Sequence, residues 1–328
     1  MFVSVCSRHV KLLFFEAALY CSILAVAFVG SLYLLVPTKI HSLHRDHASQ
    51  IRWRTFGTSV VCAVSLVTYA FLFCDEWNHR VPISSMVRRE FVATGGVMFH
   101  ALILYLGPIV NSFVLIYDSL KRREGAVSAS RFSRVMYSCY VDPTVSALLH
   151  PRNDSERWMR LRHLVVAPLT EEIVFRACMV PALRSTGMTA ARVAFTTPLF
   201  FGFAHVHHAL SKLRQGRGAF SVFLETSFQF AYTTVFGAYE SYAFLRTESL
   251  CAVTVCHAFC NAMGLPDLSF LQRDSPVYHH RTLLLSTLVI GLVGFIVGLK
   301  SFDLPPAARL GDDTSTWMYN TDTDTDTV

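Results

Sequence analysis

Three short stretches of this chain put ionisable side chains into otherwise apolar surroundings, and their types suit acid–base chemistry. The first is Thr170-Glu171-Glu172-Ile173-Val174-Phe175-Arg176. On a helix, residues four apart share a face, so Glu172 and Arg176 can neutralise one another. Glu171 lies about 100° round the helix and points elsewhere. One carboxylate then has a structural partner and the other is left over. A carboxylate left over in an apolar setting suits the work of a general base. Pro168, just before, should loosen the helix and admit water beside Glu171. A purely structural charge cluster is the plain alternative for this stretch.

The second stretch is Phe201-Gly202-Phe203-Ala204-His205-Val206-His207-His208. His205 follows Phe201 by one turn, near the end of its helix, while His207 and His208 suit the headgroup region. Gly202 permits another helix to approach closely. The third is His257-Ala258-Phe259-Cys260-Asn261. His257 and Asn261 again share a face, and both can donate hydrogen bonds to a developing oxyanion. Interhelical hydrogen bonding is the bland alternative. Glu16, His100, Glu225 and Gln229 are further polar residues in apolar runs, with packing or a wet cavity as their default role. Taken together, the three stretches supply a base, a partner to orient water and oxyanion donors, a set that fits hydrolysis of a carbonyl compound. A Glu and two His also make a zinc set, although no HExxH is present.

Elements must hold these residues, and composition says of what kind. The 328 residues are 52% hydrophobic and only 16% charged, with net charge +6. A soluble domain carries about 25% charged residues. This excludes a disordered chain, a nucleic-acid-binding module and most soluble enzymes. A bilayer core needs about 20 apolar residues per helix. Apolar runs at 12–36, 58–73, 95–117, 164–183, 193–210, 220–239, 250–265 and 283–299 predict an all-α polytopic membrane bundle of about eight transmembrane helices. The loops holding Lys39, Arg45, Arg52 and Arg54, the stretch 121–162, and the loops with Lys212, Arg214, Arg217, Arg273 and Arg281 are the richer in positive charge. They are expected in the cytosol, with both termini on the opposite side. The sequon at Asn153 is then expected to stay unglycosylated. The expected division is N-terminal membrane helices over 1–120, a polar cytosolic loop with an amphipathic segment over 121–160, a catalytic helix bundle over 161–300 and a disordered polar tail over 301–328. The nine cysteines sit mostly in apolar runs and read as small hydrophobes rather than a disulfide framework.

The ordered trio EExxxR, FxxxH and HxxxN resembles the type II CAAX prenyl endopeptidases, the Ras-converting enzyme family. It stands here as Glu171-Glu172 to Arg176, Phe201 to His205 and His257 to Asn261, without departure from the motif. The flanking words VVAPLTEEIVFRACMVP and FGFAHVHH are close to the eukaryotic branch. The likeness covers about a third of the chain. It implies a multi-pass protease of the endoplasmic reticulum membrane that removes the last three residues from prenylated CAAX proteins. By the resemblance, Glu171 and His205 activate water, and His257 and Asn261 stabilise the oxyanion. Glu172, Arg176 and Phe201 support them. The partners it implies are membrane lipid and farnesylated or geranylgeranylated proteins such as small GTPases, with no nucleic acid. No cofactor is implied. A metal-dependent protease using the same residues, and a membrane transporter or scaffold, are the competing readings.

Overall fold

The computed structural model describes residues 11–73, 83–124, 153–205, 209, 212–213 and 215–299; the side chains at 83, 119, 122–124 and 205 are not among those described. Among the described residues the chain is helical, with no β-strand. The expected amphipathic segment within 121–160 and the tail over 301–328 lie outside them.

The chain runs through α1 (Phe14–Leu34), a single turn α2 (Thr38–His41), α3 (Ala48–Phe73), α4 (Ile83–Leu104) and α5 (Leu106–Glu124). A composite rod follows. It comprises α6 (Asp154–Leu161), a π-helical turn (Arg162–Val166), α7 (Ala167–Glu172), a second π-helical turn (Ile173–Cys178) and α8 (Met179–Arg184). The bundle closes with α9 (Ala190–His205), α10 (Ala219–Thr247), α11 (Leu250–Met263) and α12 (Arg281–Gly298). α1 packs on α3, α9 on α10, α11 on α4, and α12 on both α4 and α5.

The surface is rich in exposed apolar side chains, and charged groups are buried within the hydrophobic core, the pattern of a protein dissolved in lipid. Phe71, Phe91, Phe195, Val235 and Val297 are exposed, whereas Glu172, Arg176 and Glu240 are fully buried. Three helical stretches are long and apolar enough to cross a bilayer by length and composition: Phe14–Leu34, Ala48–Phe73 and Tyr278–Gly298. A fourth is a bent pair, Ser84–Leu104 with Leu106–Asp118, broken at an angle of 65°. The expected straight span over 95–117 is therefore two helices. Pro108 explains the break, since it has no N–H to offer the Leu104 carbonyl. The figure of eight spans does not follow from helix length and composition, because polar residues interrupt the remaining helices or leave them short.

Two details of packing shape the site. Each π-helical turn is followed closely by a proline, Pro168 or Pro181, that withholds a backbone donor. The wider turn closes with Ala167 N–H donating to the Arg162 carbonyl, and the second with Met179 N–H donating to Val174. Glu171 and Glu172 thus lie between two underwound turns and Arg176 lies within the second, a feature frequent at functional sites. Second, α9 and α10 cross at glycines. A Cβ on Gly202 would come within 2.7 Å of Thr234 Oγ1 and 2.9 Å of the Phe230 ring. One on Gly237 would meet Pro198 at 3.1 Å and the Arg176 guanidinium at 3.3 Å. Two of the polar residues expected in the bilayer lie at helix ends instead. Glu16 accepts a hydrogen bond from the Leu13 N–H at 2.9 Å, closing its own helix, and Glu225 pairs with Arg217 and Lys212.

Candidate active site

A cavity of about 1120 Å³ opens inside the bundle, and Glu171, His257 and Asn261 all line it. α7 carries Glu171 to its wall, and α11 carries the other two. α11 is fixed at its start by Ser249, whose hydroxyl accepts from the Ala252 N–H at 2.9 Å. From there His257 falls two turns inward and Asn261 one turn further.

His257 is the hub. Its Nδ1 lies 2.7 Å from Glu172 Oε1 and its Nε2 lies 3.7 Å from Glu171 Oε2. Glu172 Oε1 also accepts from Arg176 Nη1 at 3.0 Å, so the i,i+4 pair read from the sequence is formed. The result is a line of charge, Arg176 to Glu172 to His257 to Glu171, whose first two members are wholly buried. Only Glu171, at its end, is partly exposed, with 16% of its side chain accessible. A carboxylate on Nδ1 fixes the tautomer and ring orientation of a histidine, and so aims Nε2 at the cavity. Aromatic rings enclose the imidazole. Phe236 and Phe201 stand edge-on to it at 5.0 Å and 6.4 Å. Phe201 also lies under the Arg176 guanidinium, 4.9 Å away, which gives it a charge-screening as well as a packing role.

Asn261 is tied to the first π-helical turn: its Nδ2 donates to the His163 carbonyl at 3.0 Å. One amide N–H is therefore occupied, and among the described residues no partner holds the other, which can serve a ligand. His205 ends α9, and its side chain lies outside the described residues, as do His207 and His208. His100 is a packing residue: it meets the Phe295 carbonyl at 2.8 Å and stacks on the Phe295 ring at 4.3 Å. Gln229 lines the cavity. Among the described residues, metal-ligand spacing occurs in Asp118, His279 and His280, which lie on α5 and just before α12 rather than with His257.

Comparison with known proteins gives this geometry its context. A family model described as type II CAAX prenyl endopeptidase Rce1-like matches residues 153–263. A human protein named CAAX prenyl protease 2 is 36% identical over 259 residues, covering 75% of this chain and 70% of its own length. An Arabidopsis thaliana protein of the same name is 30% identical over 289 residues, covering 86% of this chain and 88% of its own. The chain belongs to the CAAX prenyl protease 2 family. It is a membrane protease. No solved structure matches it.

The family model spans all three motifs, and the structure brings Glu171, Glu172, Arg176, Phe201, His257 and Asn261 around one cavity of this protease. One nearby carboxylate escaped sequence analysis. Glu240, on α10, is completely buried, and its oxygens accept no hydrogen bond from a nitrogen or oxygen donor among the described residues. The Cys256 thiol lies beside it, and the charges of Glu172 and Arg176 reach it. The run over 220–239 ends one residue short of it. A signal was present: Gln229, Thr233, Gly237 and Glu240 are spaced by four, four and three, a polar and small-residue stripe down one helix face.

Proposed function

We propose that this protease removes the C-terminal tripeptide from prenylated CAAX proteins by attack of a water held at Glu171. The observation that carries the reading is His257, fixed between two carboxylates on the wall of a cavity that Glu171 and Asn261 share. Glu171 takes a proton from water, and His205, at the end of α9, helps to orient it. The hydroxide oxygen bonds to the scissile carbonyl carbon, and the carbonyl electrons move onto its oxygen. With Nδ1–H committed to Glu172, a His257 ring that also carries a proton on Nε2 offers that donor to the oxyanion, beside the second N–H of Asn261. Collapse breaks the C–N bond, and Glu171 returns the proton to the departing amine. The products are a prenylcysteine carboxylate and a free tripeptide.

The cavity suits a substrate with a lipid arm. Phe28, Val29, Leu288 and Leu292 supply apolar wall, while Arg54 and Arg162 supply charge. A farnesyl or geranylgeranyl chain partitions into lipid and delivers its peptide to the membrane surface. On this reading residues 161–300 provide the reacting groups, helices from 1–120 wall the substrate cavity, and the enzyme works in the endoplasmic reticulum membrane on proteins such as prenylated small GTPases. The test is a farnesylated CAAX peptide and its unprenylated twin, with products read by mass spectrometry. Release of the intact tripeptide from the prenylated peptide alone supports the reading. Cleavage of both at equal rates, or at another bond, overturns it.

A further inference from the structure

One wall of the cavity carries a cation with no carboxylate in ion-pair contact among the described residues. Arg54 lies on α3, on the face made by Ile51, Arg54, Thr55 and Thr58, and all four line the cavity. Their spacing of three, four and seven is a single helix face. The Arg54 Nε is buried without a hydrogen-bond partner among the described residues, and its guanidinium lies over the Tyr33 ring at 5.9 Å. Arg45 and Arg162 line the same cavity and add their charge to that of Arg54. One carboxylate serves both of them: Asp46 lies 3.0 Å from Arg162 and 3.8 Å from Arg45. Three guanidinium groups therefore share one carboxylate. A cluster of cations that includes a buried, unsatisfied donor suits an anion.

The helix itself gives a ruler from this cluster to the reacting groups. Cys62, two turns beyond Arg54 on α3, donates its thiol to the Thr170 carbonyl at 3.4 Å, and Thr170 precedes Glu171. Eight residues of helix rise about 12 Å. Three residues of extended peptide span about 10 Å. A substrate with its scissile carbonyl at Glu171 and its last three residues extended along α3 thus ends beside Arg54.

We propose that Arg54, backed by Arg45 and Arg162, binds the free α-carboxylate of the substrate's terminal residue and so sets the cut three residues from the end. This rests on the reading given under Proposed function. A guanidinium fork matches a carboxylate through two parallel hydrogen bonds, which gives geometry as well as attraction. A phospholipid phosphate shares the oxyanion chemistry and is the other source such a cluster could draw on.

The test uses the full-length protein in phosphatidylcholine nanodiscs with two farnesylated CAAX peptides, one ending in a free acid and one in a carboxamide. The wild type should cleave the acid roughly 10- to 100-fold better in kcat/KM, the worth of a charge-assisted hydrogen bond. Arg54→Gln should collapse the acid-to-amide ratio toward one, with the larger loss on the acid. Arg54→Lys, which keeps the charge and loses the fork, should fall between and guards against a folding defect in Arg54→Gln. Equal cleavage of both peptides by the wild type overturns the proposal, as does an equal loss on both in Arg54→Gln. A dependence on added phosphatidylserine that vanishes in Arg54→Gln, with the acid-to-amide ratio unmoved, assigns the cluster to lipid and overturns it too. If neither peptide is cleaved by the wild type, the proposed function fails and this inference with it.

Discussion

Glu172→Gln removes a charge from the centre of the site while keeping its shape, and its cost can be worked from the geometry. The glutamine oxygen can still accept from Arg176 Nη1 and from His257 Nδ1, which now lie 3.0 Å and 2.7 Å from Glu172 Oε1. Only the counter-charge is lost. Arg176 is wholly buried, so it cannot turn to water for compensation. Breaking a buried pair from one side costs about 3–5 kcal/mol. Glu240 moderates this, because loss of the Glu172 charge removes a repulsion on the buried Glu240 carboxyl and lets Arg176 favour its charged form as a replacement partner. The expected loss is therefore about 3 kcal/mol, at the lower end. Glu172→Gln/Glu240→Gln leaves Arg176 with neither carboxylate and should cost more than the two single changes added together. Equilibrium unfolding of the purified protein in mixed micelles measures all four species. A Glu172→Gln protein within about 0.5 kcal/mol of wild type, or strict additivity in the double variant, would refute the reasoning.

Two further expectations concern the frame around the site. Gly202→Ala should destabilise by about 1–3 kcal/mol, because the added Cβ presses on Thr234 and Phe230, whereas Gly95→Ala, where a Cβ meets nothing, should be neutral or mildly stabilising; the same unfolding measurement compares them. Asp46 pairs with Arg45 and Arg162, which line the cavity: partial burial raises its pKa, but the Arg162 hydrogen bond and charge outweigh that and hold it below the usual carboxylate value. A lowered folded pKa gives stability that is present above about pH 3.9 and is lost as pH falls through the folded value. Asp46→Asn should remove about 0.2–1 kcal/mol at neutral pH, as befits a partly exposed pair, and should flatten the acid limb of a stability profile. A steeper acid limb in the variant would contradict the assignment.

What the sequence made legible was whatever depends on spacing within one helix. Glu172 and Arg176 are four apart and do form an ion pair; Glu171, one residue round, does face the cavity. His257 and Asn261 share a face and reach the same space. Contacts between helices were not legible. The bond from Asn261 to the His163 carbonyl spans 98 residues, and that from His257 to Glu172 spans 85. Periodicity within α11 cannot name either partner. Hydropathy windows also misplaced helix ends. α3 starts at Ala48 rather than near residue 58, so Arg54, counted among loop charges, is a helical residue facing the cavity. α10 runs on to Thr247, which brings Glu240 into the interior. The π-helical turns around Glu171 left only the faint mark of Pro168 and Pro181 in the sequence, since a proline announces a disturbance without its form.

The central claim is that Glu171 carries the water-activating step while Glu172 holds the structure. The most direct test is kcat for Glu171→Gln on a farnesylated CAAX peptide, with the variant's unfolding free energy measured on the same preparation. The account predicts a loss of activity of about a thousandfold or more, larger than the usual share of one general base because no other carboxylate reaches the cavity from α7. It predicts a stability within about 1 kcal/mol of wild type, since Glu171 is partly exposed and outside the Arg176 pair. A folded Glu171→Gln protein that still releases the tripeptide at a near wild-type rate would contradict it.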